Sequence, residues 1–164
     1  MKKHEFTLVL DNGFEINDAT ENMLFEAGCD DALLLSRNGI VYLDFDREAA
    51  SLEEAIFSAI KQVEGESSLN KIKRIEPSDF VTSAEIARRL NRSRQSVQQL
   101  ISGHRGSGAF PIPLAGVTTK TMIWSWVDVT RWLLDHKKLN DASVYEDAVI
   151  MKKINEMLES RSAA

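Results

Sequence analysis

The amino-acid sequence predicts an α+β protein in two parts: a βαββαβ unit over 1–76, then a helical module with a short hairpin over 77–136, followed by a terminal helix over 137–164. Three observations predict it. Strand and helix patterns alternate through the first part, with Asn38-Gly39, the strongest short hairpin signal of the chain, between two strand patterns. Two short, well-capped helix patterns flank Asn91. The charge also changes sign along the chain. Residues 1–76 hold 8 Lys/Arg against 16 Asp/Glu, a net of −8, whereas residues 77–124 hold 6 basic and 2 acidic residues, a net of +4.

The elements of the first part follow in order. Glu5–Leu10 has a strand pattern. Asp18–Ala27 is helical, with Ala19, Met23 and Ala27 on one face and Gly28 as its end. Asp31–Ser36 and Ile40–Phe45 are strands joined by the Asn38-Gly39 turn. Ser51 caps a helix running to about Val63, with Glu54 at the capping-box position. Leu52, Ala55, Ile56, Ala59, Ile60 and Val63 form its buried face. Lys71–Ile75 is a fourth strand with Ile72 and Ile75 as its apolar members, and Pro77 marks the boundary. This order is that of a ferredoxin-like unit, read here as an association domain. Four short strands are expected to leave two sheet edges uncovered.

The second part opens with Thr82 as a cap and Glu85 three residues on, then the apolar stripe Ile86, Ala87 and Leu90. Asn91 stands where the chain must turn, and Asn tolerates the left-handed region better than most residues. Ser93 caps a second helix whose stripe is Val97, Leu100 and Ile101. Two helices crossing at this spacing make a helix-turn-helix, the second helix of which enters the major groove of DNA. Gly103–Gly108 is a loop, and Phe110-Pro111-Ile112-Pro113-Leu114 is extended because its prolines exclude helix. Val117–Trp124 is expected to return as a strand and complete a wing. Ser125 caps a third helix carrying Trp126, Val129, Trp132 and Leu133, with Asp128 at the box position. Ala142–Glu159 is a last helix, with Val144, Ala148, Met151, Ile154 and Leu158 spaced by three or four.

Residues 82–134 resemble the excisionase-like branch of the MerR-type winged helix-turn-helix proteins. The resemblance rests on T-S-A-E-I-A-R-R-L, S-R-Q-S-V-Q-Q-L-I, the following glycine, F-P-I-P and W-S-W-V-D-V-T-R-W-L, in that order. It covers about a third of the chain. Asn91 stands where such proteins usually have glycine, and H-R-G-S-G-A lengthens the segment before F-P. The resemblance implies double-stranded DNA binding through Ser93–Ile101 and the wing.

The candidate contacts follow from residue chemistry. Arg94, Gln95, Gln98 and Gln99 lie on the polar side of the second helix, where Arg pairs bidentately with guanine and Gln with adenine. Ser93 and Ser96 sit at its N-terminus, where free N–H groups and the dipole favour phosphate. Arg88, Arg89 and Arg92 flank the turn and suit phosphate positioning. Arg105 and Lys120 are wing candidates. The bland alternative is a solvated polar face with Ser93 as a cap alone. Trp124, Trp126 and Trp132 can stack on single-stranded bases, but their helical spacing assigns them to the core.

Other classes find little support. His4, His104 and His136 are scattered, Cys29 is the single thiol, and no metal-ligand spacing occurs. Gly103–Gly108 follows a helix and lacks the Lys-Ser/Thr ending of a phosphate loop. No catalytic, metal or cofactor residue is assigned, and no enzyme activity is expected. One cysteine, no signal-peptide pattern and no stretch of about 20 apolar residues lead us to expect a cytoplasmic protein without a membrane segment. The expected function is a small transcriptional regulator acting as a homodimer, since one recognition helix covers few base pairs. The alternatives are an antitoxin-like or adaptor protein with a protein partner on the N-terminal unit, and a recombination accessory protein that bends DNA. A small-molecule sensor rests on analogy of fold alone.

Overall fold

A computed structural model describes residues 1–65, 72–103 and 108–162. Among them the protein is mixed α+β, with six helices and a four-stranded antiparallel sheet. It divides into two compact units. One comprises Met1–Pro77 with the chain from Lys153 on, and the other Ser78–Lys152.

In the first unit the elements are β1 (Lys2–Leu10), α1 (Asp18–Glu26), β2 (Ala32–Arg37), β3 (Ile40–Ala49), α2 (Leu52–Glu64) and β4 (Ile72–Glu76). The sheet order is β2-β3-β1-β4. Phe6 faces Phe45 across β1 and β3, and their rings stack at 5.1 Å. Asn38 and Gly39 both take positive φ, 54° and 80°, which a two-residue hairpin turn requires. Ser51 caps α2 by accepting the Glu54 N–H, and the six apolar residues expected on its inner face are all buried. Together with Phe6, Leu8, Leu10, Leu43, Phe45, Ile72 and Ile75 they build the core of this unit.

Two expectations about this unit are corrected. The inner residue of α1 is Leu24, whereas Ala19 is exposed and Met23 keeps 39% of its surface open. The helix is set by a capping box between Asn17 and Thr20, and it is short enough that a single leucine fastens it. The second correction concerns the sheet edges. The outer edge of β4 is closed by side chains. Asn155 accepts the Ile75 N–H at 2.7 Å and donates to the Ile75 carbonyl at 2.9 Å. Glu64 accepts the Ile72 N–H at 3.1 Å, and Arg161 grips Glu64 through both terminal nitrogens. Among the described strands of this sheet only β2 keeps an unpaired edge.

A buried arginine fixes the loop before β2. Arg47 forks onto Asp31 at 2.7 and 2.9 Å, and also donates to Ser58 Oγ and the Gly28 carbonyl. Its guanidinium lies 5.0 Å from the centre of the Phe45 ring. These bonds hold the Asp31 carboxyl below the usual carboxylate range, and burial pushes the neighbouring Cys29 thiol up.

The second unit contains β5 (Phe80–Val81), α3 (Ser83–Leu90), α4 (Arg94–Ser102), β6 (Trp124–Ser125), α5 (Trp126–Asp135) and the first half of α6 (Ser143–Ser162). The later residues of α6, among them the buried Ile154 and Leu158, belong to the first unit. The core of the second unit is Val81, Ile86, Ala87, Val97, Leu100, the three tryptophans, Val129, Leu133 and Ala148. The tryptophans are therefore structural here.

The wing differs from the expectation. Val117–Trp124 does not form a strand. Regular pairing is confined to β6, and its partner is β5. Between Phe110 and Ile123 a single bridge joins Ala115 to Ile123. Pro111 and Pro113 have no N–H to give to a ladder. The returning residues instead close a local turn: the Thr119 N–H bonds the Gly116 carbonyl at 3.1 Å, and Gly116 takes φ +87°. The extended segment is pinned from inside. Trp124 donates to the Pro111 carbonyl at 2.9 Å and Trp132 to the Gly108 carbonyl at 3.2 Å. The Phe110 ring sits edge-on to both indoles.

Candidate nucleic-acid interface

The site is built on α3 and α4. Thr82 caps α3 by accepting the Glu85 N–H at 3.2 Å. Asn91 ends it in the left-handed region, φ 53° and ψ 46°, and the Arg92 N–H returns to the Ala87 carbonyl at 2.9 Å. Two residues later Ser93 caps α4 by accepting the Ser96 N–H at 3.0 Å. The turn is thus only three residues long, and the buried pairs Ile86/Ala87 and Val97/Leu100 share one core. The N–H groups of Arg94 and Gln95 lie in the first turn of α4, where a helix has no internal acceptors for them.

The eleven sequence candidates fall into distinct settings. Ser93, Arg94, Gln95 and Gln98 are exposed and lie along one side of α4, opposite Val97 and Leu100. Ser96 and Gln99 border them, half-buried, and Arg92 is half-buried at the turn. Arg88 projects from α3 with 69% of its side chain exposed, forked onto both carboxylate oxygens of Glu85. Arg89 is turned inward, with only 11% of its side chain exposed. It donates to Glu85 at 2.9 Å and to the Ser78 carbonyl at 2.9 Å, and its guanidinium lies 5.2 Å from the Trp126 ring centre. The structure therefore gives Arg89 a packing role. Lys120 is exposed in the turn between Gly116 and Met122. Arg105 lies outside the described residues.

Glu85 is the residue that sequence reasoning placed only as a cap partner. It gathers two of the four arginines of this region and offsets part of their charge. The Arg88 guanidinium, and after it Arg89, hold its carboxyl below the usual range, while the Glu85 carboxylate raises Arg88. Arg92 and Arg94 are the other two arginines at the turn and on α4, Arg92 half-buried and Arg94 exposed.

Asp79 is the other residue missed. It accepts the Val127 N–H at 2.9 Å and the Ser125 hydroxyl at 2.7 Å, while its own carbonyl accepts the Trp126 N–H at 2.6 Å. It ties the strand before α3 to the start of α5, beneath Trp126 on which Arg89 rests. The spacing of 46 residues to Ser125 leaves no local signal for it.

No helix among the described residues is long and apolar enough to cross a membrane, and none of their His, Cys, Asp and Glu side chains gather in threes around a metal position. No protein-family model, curated protein or solved structure matches the chain.

Proposed function

We propose that the chain is a sequence-specific double-stranded DNA-binding regulator whose second unit is a winged helix-turn-helix. In this reading α4 enters the major groove, with Arg94, Gln95 and Gln98 facing base edges. Ser93 and the free N–H groups of the first turn meet a phosphate. Arg88 and Arg92 lie along the backbone, and Lys120 reaches it from the turn of the wing. The observation that carries the reading is the contiguous polar face of α4. It is exposed beside a three-residue turn, while the opposite face is locked into the core by Val97 and Leu100.

The first unit is read as a ferredoxin-like association domain. Its strand order, with both helices entering between strands that are not sheet neighbours, supports this. Two copies of the chain bring two recognition helices to paired half-sites, which supplies the contact area that one helix lacks.

Selection of bound duplexes from a random pool, at stated salt, tests the reading. The full chain is expected to enrich one short motif. On that motif Arg94→Ala and Gln98→Ala should each reduce the ratio of cognate to scrambled affinity by about 5- to 100-fold, the equivalent of one lost base contact. Arg88→Ala should weaken both duplexes alike. Absence of any enriched motif, or an unchanged ratio in both α4 variants, refutes it.

A further inference from the structure

We propose that the outer edge of β2 pairs antiparallel with β2 of a second copy, about a twofold axis at Leu34. The pairing supplies the second copy that the DNA reading needs, and it rests on that reading for its purpose but not for its geometry.

The two edges of the sheet are treated differently by the fold. On β4 the outward N–H and C=O of Ile75 are both taken by Asn155, and Glu64 accepts the N–H of Ile72. That edge is closed to another strand. β2 ends the sheet order at the other side, and among the described residues no strand lies beyond it. The Asp46 N–H bonds the Asp31 carbonyl, so the odd-numbered residues of β2 turn their main-chain groups toward β3. Leu34 and Ser36 therefore direct theirs outward, which is the donor and acceptor row that recruits another strand.

The side chains favour a copy of the same strand. Leu33 and Leu35 stand on the sheet face away from the buried Leu43 and Phe45, exposed by 67% and 37%. Strand protection by lysine, proline or a bulge is missing from Ala32–Ser36. The segment holds no carboxylate although residues 1–76 carry twice as many acidic as basic residues, so two copies meet there without repulsion. With Leu34 opposite Leu34 of the second copy, Leu33 faces Leu35. Each apolar side chain is covered by its counterpart, and only an even register of this kind keeps the two sheet faces continuous.

The full chain tests this. Sedimentation of the wild type at tens of micromolar should show a dimer, and Leu33→Lys/Leu35→Lys should show a monomer with the same helix content by circular dichroism. The register is tested by disulfide trapping in a Cys29→Ala background. Leu33 and Leu35 of the second copy form a non-hydrogen-bonded pair, whose Cα atoms lie about 4.5 Å apart, within disulfide reach. Mixed Leu33→Cys and Leu35→Cys proteins should therefore oxidise to the heterodimer in preference to either homodimer. A monomeric wild type, a dimeric double-lysine variant, or equal trapping of all pairs overturns the pairing. A dimer of this kind that binds no DNA leaves the pairing standing and removes the DNA reading, and a monomer that binds a selected motif does the reverse.

Discussion

Glu85→Gln is the most direct probe of whether the basic side of α3 faces DNA, as the proposed reading has it. Glu85 is ionised at neutral pH, because Arg88 and Arg89 hold its carboxyl below the usual range. The substitution removes that charge while keeping the side-chain shape and the main-chain bond from the Glu85 N–H to Thr82. In the proposed reading Arg88, which is exposed and lies along the DNA backbone, is then no longer offset by the Glu85 carboxylate. A full charge restored to its phosphate contact steepens the dependence of log affinity on log salt by up to about 0.9, so a roughly fourfold rise in salt should cost up to about 3- to 4-fold more affinity than in the wild type. At low salt the variant should bind more tightly than the wild type, to cognate and scrambled duplexes alike. The cost falls on Arg89, which exchanges an anionic acceptor for a neutral one but keeps the Ser78 carbonyl and the Trp126 face. A stability loss of about 1 kcal/mol is expected from that exchange. Fluorescence anisotropy over a salt series measures the slope, and a thermal melt measures the cost. An unchanged or shallower slope in a folded variant would show that the basic side of α3 does not face the DNA backbone.

Three further outcomes are expected. Arg47→Met should destabilise the protein by about 3 kcal/mol in urea unfolding, the lower end of the range for broken buried pairs, because Asp31 keeps some contact with water. The acid limb should change with it. Asp31 has a depressed folded pKa through Arg47, so its contribution is present above the unfolded carboxylate range and is lost as pH falls through the folded value. The wild type should therefore lose more stability than Arg47→Met between neutral pH and the strongly acidic range, and parallel acid limbs would contradict the pairing. Gly116→Ala should open the turn between Gly116 and Met122, since a Cβ there would lie 2.0 Å from the Thr121 carbonyl oxygen at φ +87°. Faster hydrogen exchange at the Ile123 N–H, which donates to the Ala115 carbonyl, should accompany a several-fold fall in DNA affinity with base preference intact.

Local chemistry was legible in the sequence, and long-range side-chain chemistry was not. Thr82, Ser51, Ser93 and Ser125 cap helices through N–H groups three residues on, so residue type and spacing reveal them. The inner face of α2 follows from a 3.6-residue period over 13 residues, which allows no other phase. In α1 the period spans only 9 residues, and Ala19/Met23 competes with Leu24 on equal terms until the sheet is in place. The wing failed for a related reason: alternation near Val117–Trp124 suggests a strand, but the prolines opposite cannot donate to it.

The residues that decide the candidate interface are the ones with distant partners. Arg88 and Arg89 are adjacent and identical in type, and no pattern in the chain separates them. Tertiary structure does, because Ser78 and Trp126 draw one inward while the other stays exposed. The same holds for the sheet edges. The sequence shows two strands at the ends of a βαββαβ order, and only the folded chain brings Asn155, 80 residues away, onto Ile75. That amide, with Glu64 on Ile72, leaves β2 as the open edge of the described four-stranded sheet. Its two main-chain bonds are made at once by one rigid side chain, so Asn155→Leu should expose the Ile75 N–H and C=O. It should also turn β4 into a second site of strand pairing. In sedimentation this variant should form species larger than a dimer, whereas the same change combined with Leu33→Lys/Leu35→Lys should return a dimer formed through β4. If Asn155→Leu stays a dimer at every concentration, edge closure is not what restricts association to β2.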